Sequence, residues 1–186
     1  TSIPYEGTLL GKNIHRNVER DIYITDEDRL RHFYIIGQTG TGKTAAFLIT
    51  IFQLFIEQQS LDSKMALIVA PTRELADQIE KDATQLGKYL DFSIASFYGG
   101  VGYKKQEKAL ASGVRLVIGT PGRLLDFAKQ RKLDLNQVGI LVIDEADRLF
   151  DMGFIQDLRF LMRKLPRKDQ RQSMLFSATL NYTVME

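Results

Sequence analysis

Short runs of branched and aromatic apolar residues recur along the chain, each separated from the next by a longer stretch whose apolar positions fall at helical spacing. The runs predict strands at His32–Ile36, Met65–Ala70, Ser93–Phe97, Val114–Gly119, Gly139–Asp144 and Gln172–Ser177. The stretches between them predict helices at Lys43–Gln59, Arg73–Tyr89, Lys104–Ala111, Gly122–Gln130 and Phe154–Lys164. Strands that alternate with helices favour right-handed crossovers and a parallel sheet. The strands are apolar almost throughout instead of alternating, so both sheet faces are expected to be covered. The resulting fold class is a three-layer α/β domain with a mainly parallel central sheet, and ligands of such sheets bind at the strands' carboxyl ends.

The length of 186 residues suits one such domain with a small appendage, and leaves no room for two full-sized lobes. The expected division is an N-terminal extension over residues 1–31, with a short β segment at Asp21–Thr25 packed at the sheet edge, and a domain over 32–186. The absence of cysteine excludes disulfides, thiolate nucleophiles and cysteine-ligated zinc, and two histidines, His15 and His32, do not make a metal site. The net charge of +2 identifies no partner, so any nucleic-acid surface is local. Apolar runs fall far short of the roughly 20 residues that cross a bilayer. A cytoplasmic protein without membrane partners is the simplest expectation.

Gly37-Gln38-Thr39-Gly40-Thr41-Gly42-Lys43-Thr44 has the spacing of a phosphate-binding loop, with an apolar strand before it and an amphipathic helix after it. Glycines let backbone N–H groups wrap a phosphate, and the helix N-terminus adds its positive dipole. Lys43 would reach the β- and γ-phosphates and the Thr44 hydroxyl would bind Mg²⁺. The motif indicates a nucleoside triphosphate without naming its base. A second rim feature is Asp144-Glu145-Ala146-Asp147, which follows an apolar strand. Asp144 is placed to hold Mg²⁺ with Thr44, and Glu145 to orient or deprotonate an attacking water. Taken alone the same residues are equally a helix-capping turn.

Four segments in order, Pro71-Thr72-Arg73-Glu74-Leu75-Ala76, Thr120-Pro121-Gly122-Arg123, Asp144-Glu145-Ala146-Asp147 and Ser177-Ala178-Thr179, resemble those of DEAD-box RNA helicases, with Gly99-Gly100 at the place of that family's glycine pair. From about Ala45 to Val184 the chain looks like the first RecA-like lobe of such an enzyme, and Ala66–Leu180 resembles a bacterial member. The resemblance implies ATP as substrate with Mg²⁺, and single-stranded RNA held by its sugar-phosphate chain. Pro71, Thr72, Arg73, Gly99, Gly100, Thr120, Pro121, Gly122 and Arg123 would make the RNA contacts, through backbone N–H groups and guanidiniums that read no base. It also implies that Ser177 and Thr179 hydrogen-bond the acidic tetrapeptide at Asp147, coupling nucleotide state to the RNA surface. Each segment alone is also compatible with a capping turn or a polar turn. Arg163, Lys164, Arg167, Lys168 and Arg171 fit a solvated surface better than an RNA patch. Tyr98 and Tyr103 could stack on bases, whereas Phe97 is expected to pack.

The resemblance breaks upstream. Nothing in residues 1–36 matches the aromatic residue and glutamine segment with which that family reads adenine, which leaves base selectivity open. Leu10–Thr44 instead resembles the start of the ATPase domain of hexameric DNA-pumping translocases, through Gly11-Lys12-Asn13, Ile22-Tyr23-Ile24 and Arg31–Gly37. The expectation is a hybrid chain, natural or engineered, joined through a phosphate loop common to both parents. The second RecA-like lobe, which supplies arginines to the γ-phosphate, has no counterpart before Glu186, so ATPase is expected to be weak and unwinding absent for this chain alone. RNA binding should also be weak. The alternatives are a stable P-loop scaffold with no enzymatic role and a ring-forming DNA-translocase subunit.

Overall fold

The computed structural model describes the backbone of residues 8–15, 18–24 and 32–36, and residues 42–178 in full. Six strands form one parallel sheet: β3 (His32–Ile36), β4 (Met65–Val69), β5 (Ile94–Phe97), β6 (Leu116–Gly119), β7 (Val138–Ile143) and β8 (Gln172–Ser177). Their order is β3-β8-β7-β4-β6-β5, so the chain crosses over repeatedly, as helical connections on the two faces permit. Two further strands, β1 (Thr8–His15) and β2 (Val18–Ile24), pair antiparallel as a separate sheet. The expected β segment at Asp21–Thr25 thus belongs to the longer strand β2 of a hairpin, its last residue lying outside the described residues.

Side chains alternate across β4 and divide the core. Ala66 and Ile68 face one cluster with helices α1 (Lys43–Glu57) and α2 (Arg73–Leu86). Met65, Leu67 and Val69 face the other, with α4 (Pro121–Lys129), α5 (Ala146–Asp151) and α6 (Ile155–Lys164), and with Tyr103, Ala109 and Leu110 of α3 (Tyr103–Ala111) packed at its margin. The three-layer arrangement follows directly from strands that are apolar on both faces. In α1, Phe47, Leu48, Ile51, Phe52 and Phe55 bury one stripe, and the Phe47 ring meets Phe176 of β8 at 5.2 Å. Thr72 caps α2, its Oγ1 accepting the Leu75 N–H at 3.2 Å, and Pro121 occupies the first turn of α4, where no N–H partner is needed.

Gly119 shows how tightly the rim of the sheet is packed. A Cβ there would stand 2.6 Å from the Phe97 carbonyl oxygen and 2.8 Å from a Leu124 methyl carbon. Gly119→Ala is therefore expected to destabilise the fold by about 1–3 kcal/mol, as overpacking does. Chemical denaturation should show a lowered midpoint with an unchanged slope.

Candidate nucleotide and nucleic-acid site

Strand register gathers the motif-bearing loops on one edge. Ile36 of β3 lies beside Ser177 of β8, and Ile143 of β7 lies between Leu175 of β8 and Val69 of β4. Val69 pairs in turn with Gly119 of β6, which pairs with Phe97 of β5. The ladder continues one step beyond the strands: Asp144 N–H donates to the Val69 carbonyl at 3.0 Å, Ala70 N–H to Gly119 at 2.9 Å and Thr120 N–H to Phe97 at 3.0 Å. Residues after each strand end, dispersed through the sequence, are thereby placed along a single carboxyl rim. Gly37, Gln38, Thr39, Gly40 and Thr41, expected to wrap phosphate, lie outside the described residues, as does Thr179.

At the rim, Asp144 is 3% exposed. Burial pushes its carboxyl up to about 6, against the opposing pull of the Glu145 N–H, which donates to Oδ1 at 2.9 Å, and of the Lys43 ammonium. Lys43 opens α1, and its Nζ is itself buried with no hydrogen-bond partner among the described residues. A buried ammonium lacking a partner is costly unless an anion completes it. Gly42, Lys43 and Thr44 also line an open cleft against Leu75, Gln78 and Asp82 of α2. The desolvated Asp144 carboxylate, the buried Lys43 ammonium whose field reaches it, and the Thr44 hydroxyl beside Lys43 in the cleft are groups of the kind that suit a polyphosphate with Mg²⁺. No group of three or more His, Cys, Asp or Glu gathers among the described residues.

Glu145 takes a left-handed backbone, φ 47°, at the start of α5. Its side chain is 12% exposed, and Arg148 Nη1 donates to its Oε2 at 3.3 Å. Ser177 Oγ accepts the Asp147 N–H at 3.2 Å, so the expected link between the last strand and the acidic tetrapeptide runs through a backbone amide of Asp147.

The segments expected to meet RNA occupy the other half of the rim. Arg73 is exposed and pairs with Glu74 at 2.7 Å. Gly100 has φ +83°, a conformation that favours glycine, and a Cβ there would meet Arg73 Nη1 at 3.5 Å. Pro71, Thr72, Arg73, Gly99 and Gly100 are therefore neighbours. Thr120 makes no side-chain cap bond to α4, and Gly122 faces open space. Arg123 is less free than the sequence suggests, since its Nη1 donates to Gln106 Oε1 at 2.8 Å and its guanidinium lies 5.1 Å from the Tyr103 ring centroid. Tyr103 itself packs on Phe127 at 4.8 Å, so it is a packing residue and not the base-stacking platform it resembled. Phe97 packs as expected, edge-on to Phe127. Arg171 is buried, with Nε bonded to Ser173 Oγ at 3.1 Å and Nη1 to the Pro166 carbonyl, and is no part of a solvated patch. Gln106 and Arg148 escaped the sequence reading because a lone polar residue within a helix carries no pattern.

A family model described as DEAD/DEAH box helicase matches residues 14–186. The chain is 50% identical over 155 residues to the ATP-dependent RNA helicase RhlB of Serratia proteamaculans, covering 81% of this chain and 36% of that protein. It is also 50% identical over 156 residues to the RhlB of Xanthomonas oryzae pv. oryzae, covering 81% and 27%. Among solved structures, a hypothetical ATP-dependent RNA helicase from Sulfolobus tokodaii superposes with a TM-score of 0.75 at 35% identity, over 84% of this chain and 44% of that one. The yeast DEAD-box splicing factor Prp28 gives 0.76 at 31% identity, over 83% and 38%. The chain thus spans between about a quarter and a little over a third of the length of these curated relatives, and its fold is that of a RecA-like helicase domain. These relatives favour an RNA-helicase reading over an inert scaffold or a DNA-translocase subunit. With the motif-bearing loops on one rim and the family model running through all of them, the chain belongs to the DEAD/DEAH box helicase family.

Proposed function

We propose that this domain binds ATP with Mg²⁺ at the rim formed by Gly37–Thr44 and Asp144–Glu145, and grips single-stranded RNA by its backbone along the neighbouring loops. The observation that carries the reading is a desolvated Asp144 carboxyl within the field of a buried Lys43 ammonium that has no hydrogen-bond partner among the described residues. Lys43 would bind the β- and γ-phosphate oxygens, and Thr44 and Asp144 would hold the metal. Mg²⁺, when bound, neutralises charge on those oxygens. Glu145, restrained by Arg148, would orient the attacking water and accept its proton. Asp147 and Ser177, with Thr179, would pass the nucleotide state across the rim.

Hydrolysis by this domain alone is expected to be slow. Arginines supplied by a second lobe are worth about 10³–10⁵ in rate where such a lobe is present. Unwinding would need that lobe too. Glu145→Gln is expected to leave ATP·Mg²⁺ affinity within about twofold while residual phosphate release falls by roughly 10²-fold or more. Isothermal titration and a phosphate-release assay on the same preparation check both halves.

The likeness of residues 10–44 to DNA-pumping translocases supports a hybrid origin joined in the phosphate loop. The alignments to the RhlB proteins cover 81% of the chain, which leaves room for such a segment, although the helicase model reaches back to residue 14. In this reading residues 1–31 are an N-terminal extension to the domain over 32–186, whose hairpin strands β1 and β2 form a sheet of their own. Without the family's upstream glutamine segment, the base would be held less selectively than the phosphates.

A further inference from the structure

Gln106 is a buried amide, 6% exposed, on a helix that no nucleotide or RNA motif includes. Both ends of the amide are used. Nε2 donates to the Tyr98 carbonyl at 3.1 Å, immediately before Gly99-Gly100, and Oε1 accepts from Arg123 Nη1 at 2.8 Å, in the Thr120–Arg123 turn. The amide thus bridges the two loops at the outer half of the rim. Arg123 is further confined by the Tyr103 ring at 5.1 Å and the Phe127 ring at 5.8 Å. A guanidinium has five donors, and one bond to Gln106 with an aromatic face beneath it leaves others to point outward from a fixed plane. An unrestrained arginine would lose several rotamers on meeting a phosphate.

We infer that Gln106 is a positioning residue for nucleic-acid binding, which locks the Gly99-Gly100 loop and the Arg123 guanidinium into one preformed phosphate-binding unit. The inference rests on the RNA reading given under Proposed function. A plain buried hydrogen bond would stabilise the fold equally well, so the test must read something that stability does not move. Ion-pair contacts with single-stranded nucleic acid contribute about 0.7 each to the slope of log affinity against log salt. A preorganised Arg123 should contribute its full share, and a released one should not.

The experiment measures fluorescence anisotropy of a labelled single-stranded oligoribonucleotide across a salt series, with wild type, Gln106→Met, Arg123→Ala and the double variant. Affinity for Gln106→Met should fall about tenfold with a slope smaller by about 0.7, and Arg123→Ala should add little on top of it. A thermal shift with ATP·Mg²⁺ should be unchanged in size, because Gln106 touches no part of the nucleotide site. If Gln106→Met does not fold, Gln106→Asn carries the test: its shorter amide cannot span both the Tyr98 carbonyl and Arg123, and it should show the same non-additivity with Arg123→Ala. Unchanged affinity and slope in the Gln106 variant, alongside losses in Arg123→Ala, would overturn the positioning role alone. Wild type that binds no RNA, or binds it no better than Arg123→Ala, would overturn the RNA reading of this surface and the inference with it.

Discussion

Asp144→Asn should make the nucleotide-free protein more stable at pH 7 and remove the Mg²⁺-dependent part of nucleotide affinity. The carboxyl of Asp144 ionises at about 6 in the folded chain, against 3.8 for an unperturbed aspartate, because burial disfavours its charge. Between those two values the folded state keeps a proton that the unfolded state has released, so stability falls as pH rises from about 4 to 6. Above 6 the cost is complete and amounts to up to about 3 kcal/mol. Asparagine removes it. Melting temperature should rise by roughly 2–4 °C for each kcal/mol recovered, and the decline in stability between pH 4 and 6 should flatten. Metal binding has the opposite sign. It needs the ionised form, so in wild type Mg²⁺-dependent affinity should fall by about tenfold for each pH unit below 6. Differential scanning fluorimetry from pH 4.5 to 8, with and without ATP·Mg²⁺, reads both curves.

Lys43→Ala is expected to weaken nucleotide binding by roughly 10²–10⁴-fold, the loss of two charge-assisted bonds to phosphate oxygens at about 1.5–3 kcal/mol each. The same substitution should cost the empty protein little. Its Nζ is buried and has no hydrogen-bond partner among the described residues, so truncation deletes a desolvated charge instead of a bond. A residue whose removal spares the fold and abolishes the ligand is held for the ligand. Calorimetric titration with ATP·Mg²⁺, together with the melting temperature of the empty variant, measures the two effects separately.

Much of this architecture was legible in the sequence because burial on both sheet faces writes continuous apolar runs. All six sheet strands stand within two residues of their expected bounds, and Lys43 does open the helix that follows the phosphate loop. One α-helix and one strand escaped. Helix α5 has only six residues, begins with a left-handed Glu145 and is held by Leu149 packing inward, too short for any period to show. Strand β1, with Gly11, Lys12 and Asn13 at its centre, has neither alternation nor an apolar run, and its pairing with β2 depends on a partner strand that sequence does not announce. At the site, motif spacing placed Asp144 and Lys43 on one rim but gave no measure of burial, and it is burial that raises the Asp144 carboxyl. The bond from the Asp147 N–H to Ser177 Oγ came through the resemblance, since three small residues specify nothing by themselves. Gln106 was invisible for the same reason, a single amide whose two partners lie eight and seventeen positions away.

The joint clasp of polyphosphate and metal by Lys43, Thr44 and Asp144 is tested most directly by the Mg²⁺ dependence of binding to a non-hydrolysable ATP analogue. Calorimetric titrations with and without Mg²⁺ would be run on wild type, Thr44→Ala, Asp144→Asn and the double variant. If both residues hold one ion, each single substitution removes most of the affinity gained from Mg²⁺ and the double variant is no worse than Asp144→Asn. Retention of the full Mg²⁺ gain in either single variant, or losses that simply add, would contradict a shared ion and with it the site.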